Sequence, residues 1–260
     1  MASNYEIERL AEMIIEAQRV VIFTGAGVST ESGIPDFRSP GGLWDRYDVE
    51  EFYFQRFMSS EKSRILYWEM QSELYGLLQK VEPNPSHYAC VALHDFGKLD
   101  CVITQNIDNL HQVAGLSSDK VIELHGNAIE VKCMSCGKFW PREEIQKRVD
   151  QGDKAPLCDE CKGYLKPATI SFGQSMPVDA MEQAEYHSRN CDLLVAMGSS
   201  LVVQPAATMP LLAKEGGAKL AIVNLENTPY DGEADLVVLG KTGEVMSQVA
   251  ALVKASLEAA

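Results

Sequence analysis

The chain has 260 residues, 46% apolar and 23% charged, enough to bury a full core as one large domain or a domain with a smaller insert. Acids outnumber bases 37 to 23, and the net charge of −14 argues against nucleic acid as principal partner, which would need a basic footprint. No apolar run approaches the ~20 residues of a membrane span and the N-terminus has no apolar signal core, so a cytoplasmic protein with no membrane partner is expected.

Residues 5–19 place Ile7, Leu10, Met13, Ile14 and Ala17 at helical spacing, which predicts an amphipathic helix ahead of a buried strand, Val20–Phe23. The stretch Thr24–Arg38 then reads T-G-A-G-V-S-T-E-S-G-I-P-D-F-R. Gly25 and Gly27 allow a sharp turn and close approach of a ligand, and a Gly-rich turn leaving a strand is where α/β proteins hold nucleotide phosphates. Gly33 follows Gly27 by six residues rather than the three of the usual dinucleotide fingerprint. Pro35, Asp36 and Arg38 add rigid and charged groups, which favours chemistry done on the nucleotide over a nucleotide merely held. Residues 43–80 read as helical, in two pieces, Glu50–Met58 and Lys62–Lys80, whose many aromatics read as core. Pro83-Asn84-Pro85 ends that run, and Ser86 is expected to cap a helix over His87–Phe96.

Strand patterns recur at Cys101–Thr104, Val121–Leu124, Leu193–Met197, Leu220–Val223 and Leu236–Leu239. Helical patterns cover Ile107–Ala114, Val178–Arg189, Ala206–Lys214 and Gly243–Leu257. The alternation predicts an α/β fold, a doubly wound and mostly parallel sheet that takes ligands at the carboxyl ends of its strands. Those ends carry Gln105-Asn106-Ile107-Asp108, Glu123-Leu124-His125-Gly126-Asn127, Gly198-Ser199-Ser200 and Asn224-Leu225-Glu226. A helix cap needs one of Asn106 and Asp108 but not the whole polar run. A lone histidine is more often structural, yet His125 at a strand end can titrate near neutrality as a general base. His111 reads as packing or a tautomer-fixing partner, and His87, His94 and His187 have no catalytic company.

Residues 127–173 break the rhythm with four cysteines, several prolines and few apolar residues. Cys133-x2-Cys136 and Cys158-x2-Cys161, with 21 residues between the pairs, suit a zinc ribbon. Four thiolates leave zinc no open position, so the expected ion is structural. Cys90, Cys101 and Cys191 lie in apolar surroundings and read as inert core thiols.

Taken in order, the motifs Gly25–Ser29 with Gly33–Arg38, Thr104–His111, Leu124–Asn127, the two C-x-x-C pairs, Phe172-Gly173, Gly198–Leu201 and Ile222–Asn224 resemble the sirtuins, NAD-dependent protein deacylases. The resemblance covers the chain from about residue 20 to 243 and implies a compact microbial-type member. It implies a Rossmann-type NAD-binding domain (1–42, 84–126 and 174–260), and a small domain made of a helical insert (43–83) and a zinc-bearing insert (127–173). NAD and an acetyl-lysine protein or peptide would meet between them, giving nicotinamide, free lysine and O-acetyl-ADP-ribose. By motif, His125 would be the general base, and Asn106 and Asp108 would line the nicotinamide pocket beside Ile107. Phe37 would cover the reacting ribose, with Arg38 and Gln105 on phosphate and ribose. Ala26, Thr30, Ser199, Ser200, Asn224 and Thr242 would hold the rest of the dinucleotide, with Gly25, Gly27, Asp36, Gly198 and Leu225 in the same set. The peptide would add as a strand between Ile170–Gln174, with Ile170, Phe172 and Gly173, and Leu201–Pro205, with Val202.

Two mild departures touch the peptide side: Gln174 replaces a usual glutamate and Ile170 a usual valine. Members that remove succinyl groups carry a Tyr-x-x-Arg pair on the helical insert; no arginine lies between Ile65 and Pro83, so a neutral acyl group is expected. The rival readings are protein ADP-ribosyl transfer on the same fold, a non-catalytic NAD or ADP-ribose sensor, a dehydrogenase, and a zinc-ribbon nucleic-acid module.

Overall fold

The computed structural model describes residues 2–35 and 47–259. Six strands form one parallel sheet: β1 (Val20–Thr24), β2 (Leu99–Thr104), β3 (Val121–Glu123), β7 (Leu193–Met197), β8 (Lys219–Asn224) and β9 (Leu236–Leu239). Their order is β3-β2-β1-β7-β8-β9, so the chain reverses its winding between β1 and β7 and opens a crevice beyond their carboxyl ends.

The central strands are apolar on both faces because both are covered. In β1, Val20 and Ile22 face one core with α1 (Asn4–Glu16), α4 (Pro85–Asp95) and α9 (Thr242–Glu258). Val21 and Phe23 face a second core with α7 (Val178–Arg189) and α8 (Met209–Glu215).

A separate three-stranded antiparallel sheet, in the order β5-β4-β6, is built from β4 (Gly126–Cys133), β5 (Phe139–Pro141) and β6 (Leu165–Thr169). Helix α6 (Arg142–Asp150) packs on it through Ile145. Helix α3 (Glu61–Leu78) joins this unit: Trp68 is buried with Val131, Cys133 and Leu165, and its indole N–H donates to the Leu165 carbonyl at 3.1 Å.

Several boundaries differ from expectation. The segment at 50–58 is a 3-10 turn, Val49–Phe52, then α2 (Phe54–Ser59), broken by the extended Tyr53. Helix α4 starts at Pro85, and Asn84, not Ser86, caps it: the Asn84 side chain accepts from Ser86 N–H at 2.9 Å. Proline fits a first helical position because its missing N–H would have no partner there. The expected helix over 107–114 is only α5 (Leu110–Ala114). Asn109 takes the left-handed conformation, and the preceding residues are held out of the helix by tertiary bonds such as Ala128 N–H to the Ile107 carbonyl at 2.9 Å. The first helix stops at Glu16, and residues 206–208 form a 3-10 turn ahead of α8. Strands β5 and β6, helix α6 and all of β4 but its first residue lie inside the segment 127–173 read only as a zinc insert.

Candidate active site

The strand tips are locked side by side, because hydrogen bonding continues past the strand ends. Gly25 N–H donates to the Met197 carbonyl, Gln105 N–H to that of Thr24, Leu124 N–H to that of Thr104, and Gly198 N–H to that of Val223, at 2.9–3.2 Å. Gly198 has φ +63, and a side chain there would strike the Val28 amide and the Gly27 backbone. The two loops can therefore touch only as glycine against glycine, with Gly27 N–H donating to the Gly198 carbonyl at 2.8 Å.

These tips wall a cleft of about 640 Å³. Of the residues singled out in the sequence, Ala26, Gly27, Thr30, Gln105, Asn106, Ile107, His125, Gly198, Ser199, Ser200, Asn224 and Leu225 line it, as do Ile170, Phe172, Gly173 and Val202. Thr242 lies on an adjoining cavity, while Gly25 and Asp108 do not face the cleft. Asp36, Phe37 and Arg38 lie outside the described residues.

The polar groups are fixed before any ligand arrives. The Asn106 amide donates to the Gly25 carbonyl at 3.0 Å and to Ser29 Oγ at 3.1 Å. Ser29 in turn donates to Asp108 Oδ2 at 2.7 Å, and Leu110 N–H donates to Oδ1 at 2.9 Å. Burial pushes the Asp108 carboxyl above its ordinary range, although those two donors pull it back. Ser199 Oγ donates to Gln105 Oε1 at 2.8 Å.

His125 is held at both ends. Its Nδ1 lies 2.9 Å from the Gln105 carbonyl, which can only accept, so Nδ1 carries the proton and Nε2 keeps its lone pair. Its backbone carbonyl accepts from Ile170 N–H at 2.8 Å, tying the residue's main chain to the segment expected to meet a peptide. Burial lowers its pKa, partly countered by the Gln105 carbonyl, so the ring is neutral at pH 7. Gly126, φ +68, begins β4, and a side chain there would overlap the Ala168 carbonyl oxygen.

His111 is buried, with its Nε2 3.2 Å from Thr24 Oγ1 and its ring tilted against that of His87 at 4.9 Å between centroids. His187 has a partner the sequence did not reveal, Asp100 at 2.7 Å. Sequence reasoning also missed Ser29, and it read the helical-insert aromatics as core alone. Phe52 and Tyr67 are buried, but with Met70, Gln71 and Leu74 they also wall the inner cleft. The helical spacing of 67, 70, 71 and 74 was the available signal.

The model of the Sir2 family matches residues 25–205. The NAD-dependent protein deacetylase 1 of Bradyrhizobium diazoefficiens is 47% identical over 240 residues, 92% of this chain and 93% of that relative. The chain belongs to the Sir2 family. A solved Sir2 chain described with a deacetylated p53 peptide and 3′-O-acetyl ADP ribose superposes with a TM-score of 0.85 at 38% identity, covering 94% of this chain and 97% of its own. A Sir2 homolog solved as an NAD complex gives 0.87 at 37% identity, covering 96% and 94%.

The Sir2-family chain also carries a metal centre suited to zinc. Sγ atoms of Cys133, Cys136, Cys158 and Cys161 all lie within 4.8 Å of one another. Cys133–Cys161 is 3.5 Å and Cys136–Cys158 is 3.9 Å, close to the ~3.8 Å edge of a tetrahedron with Zn–S of ~2.3 Å. Backbone N–H groups of Ser135 and Cys136 point at Cys133 Sγ, and that of Gly163 at Cys161 Sγ, at 3.4–3.5 Å. Burial raises the Cys133 thiol, but those N–H groups and Cys161 outweigh it and bring it to about 7. The donor set is complete and offers no open position, so a zinc ion here is structural.

Proposed function

We propose that this chain is an NAD-dependent protein-lysine deacetylase that moves the acyl group from lysine to ADP-ribose, releasing nicotinamide. In that reaction the acyl oxygen attacks the ribose carbon as the nicotinamide bond breaks, and water then frees the lysine, leaving O-acetyl-ADP-ribose. His125 Nε2 would take the proton of a ribose hydroxyl. Asn106 and Ile107 would hold the nicotinamide end, with Asp108 behind them fixing Asn106 through Ser29, while Gln105, Ser199, Ser200 and Asn224 would take ribose and phosphate. The observation that carries this reading is the His125 geometry: a neutral imidazole whose Nδ1–H donates to the Gln105 carbonyl, leaving Nε2 free, in one cleft with the glycine loop and Asn106.

Residues 1–42, 84–126 and 174–260 would form the NAD-binding domain, with 43–83 and 127–173 as the small domain beside the cleft. A peptide would lie between the Ile170–Gln174 and Leu201–Pro205 segments, both of which supply cleft residues. Gln174, standing where glutamate is usual, accepts Ser171 N–H at 3.1 Å and so shapes its own loop.

The acyl group would be neutral. Tyr67 lines the inner cleft, and three residues on comes Met70, apolar where a carboxylate-binding arginine would be needed. Matched acetyl- and succinyl-lysine peptides incubated with NAD and followed by mass spectrometry test this. Acetyl loss should be the faster, with O-acetyl-ADP-ribose appearing; faster succinyl loss would overturn the choice of cargo.

A further inference from the structure

Strand β6 ends at Thr169, and the chain then bends through Ile170–Gln174, one of the two segments between which a peptide would lie. The inference rests on that reading. A peptide that adds as a strand is held through main-chain groups, so the receiving backbone binds best when it keeps one shape beforehand.

Gly173 takes the left-handed conformation, φ +73, so the segment cannot continue the small sheet. Its start is tied to the His125 carbonyl, and its end closes on itself, with Gln174 N–H donating to the Ser171 carbonyl at 3.0 Å. The middle is held from the helical insert. Phe54 N–H, at the amino end of α2, donates to the Phe172 carbonyl at 2.9 Å. Gln55 Nε2 donates to the Gly173 carbonyl at 3.0 Å. A Cβ on Gly173 would come within 2.7 Å of Gln55 Oε1, so the amide also rests on the bare face of the glycine. Helix α2 is itself anchored, because Phe57 is buried with Phe52, Tyr67 and Met70, and the Phe57 carbonyl accepts from the buried Arg64 Nη1 at 2.9 Å. Phe172 and Gly173 line the cleft, whereas Gln55 lies outside that lining.

We propose that Gln55 is a positioning residue for the peptide substrate. It fixes the Gly173 main chain from behind, and so sets how tightly the peptide is held without touching NAD or the acyl group.

Steady-state kinetics of the full chain test this with two substrates, an acetyl-lysine peptide and the free amino acid acetyl-lysine, which has no flanking residues to pair. Gln55→Ala should raise KM for the peptide about fivefold, the worth of one neutral hydrogen bond, with kcat and KM for NAD unchanged. Gln55→Glu keeps the length but turns an acceptor toward the Gly173 carbonyl, and should raise KM for the peptide at least as much. Turnover of free acetyl-lysine should be unmoved by either variant. A peptide KM that neither variant changes, or equal losses on both substrates, overturns the proposal while the deacetylase reading stands. A wild type that deacetylates neither substrate overturns that reading and the proposal with it.

Discussion

Each polar residue of the cleft owes its usefulness to a neighbour that fixes it. Ser29 is the clearest case, since one hydroxyl donates to Asp108 and accepts from Asn106. Ser29→Ala would leave the buried Asp108 carboxyl a donor short, a loss of about 1–3 kcal/mol. We expect kcat/KM for NAD to fall about tenfold or more while the melting temperature drops only a few degrees. Unchanged kinetics would show that Ser29 only packs. For His125 the sign of the pH effect follows from its lowered pKa: the neutral base persists to more acid pH than a free imidazole would allow. The acid limb of kcat/KM should therefore fall below the ordinary value of about 6.5. An acid limb above pH 7 would contradict this assignment.

At the scale of elements, β4 connects the metal centre to His125, the proposed base, for it begins one residue after His125 and ends on Cys133, one of the four clustered cysteines. The purified chain should hold one zinc, and Cys136→Ser, or strong chelation, should lower both the melting temperature and deacetylation. Full activity without metal would separate the two ends of the strand. Gly198→Ala forces a left-handed alanine into the Gly27 loop and should cost about 2 kcal/mol or more, read as a lower denaturation midpoint with loss of NAD binding. The central strands of the large sheet were legible in the sequence because burial on both faces demands unbroken apolar, β-branched runs, and the outer strands followed from the alternation with helices. The small sheet was not. Its strands are short or alternate with charged and exposed residues such as Ile129, Glu130 and Lys132, and their pairing depends on the four cysteines converging. Likewise, helix propensity suggested a helix from Ile107, but the chain there is held by Thr104, Ser29 and Ala128, contacts set only by tertiary structure. The strand-tip residues could be chosen from the sequence because a parallel sheet puts all such tips on one edge. The inner wall, Tyr67 and Met70, was legible only as one stripe of a helix, since the docking of that insert on the cleft is set by tertiary structure.

Across the whole molecule, the core beneath the cleft carries a pH liability. His87 and His111 pack against each other with tilted rings, and burial lowers their pKa values to about 4 and about 3. Unfolded histidine titrates near 6.5, so as pH falls below that the unfolded chain takes up protons that the folded chain refuses. The stability from these residues is complete above pH 6.5 and is lost progressively toward pH 4, on the order of 3 kcal/mol for His87 alone. The melting temperature should decline steadily over that window, and a flat profile from pH 7 to 4.5 would show that the pair stays solvated. The same assembly brings glycine loop, base and peptide segments to one crevice, so its central claim can be tested in one experiment. An acetyl-lysine peptide is incubated with NAD and the wild-type chain or His125→Ala, and all species are weighed by mass spectrometry. The account predicts NAD-dependent loss of the acetyl mass with O-acetyl-ADP-ribose formed, and neither with the variant. An unchanged peptide mass while NAD is still cleaved, or equal deacetylation by His125→Ala, would contradict it.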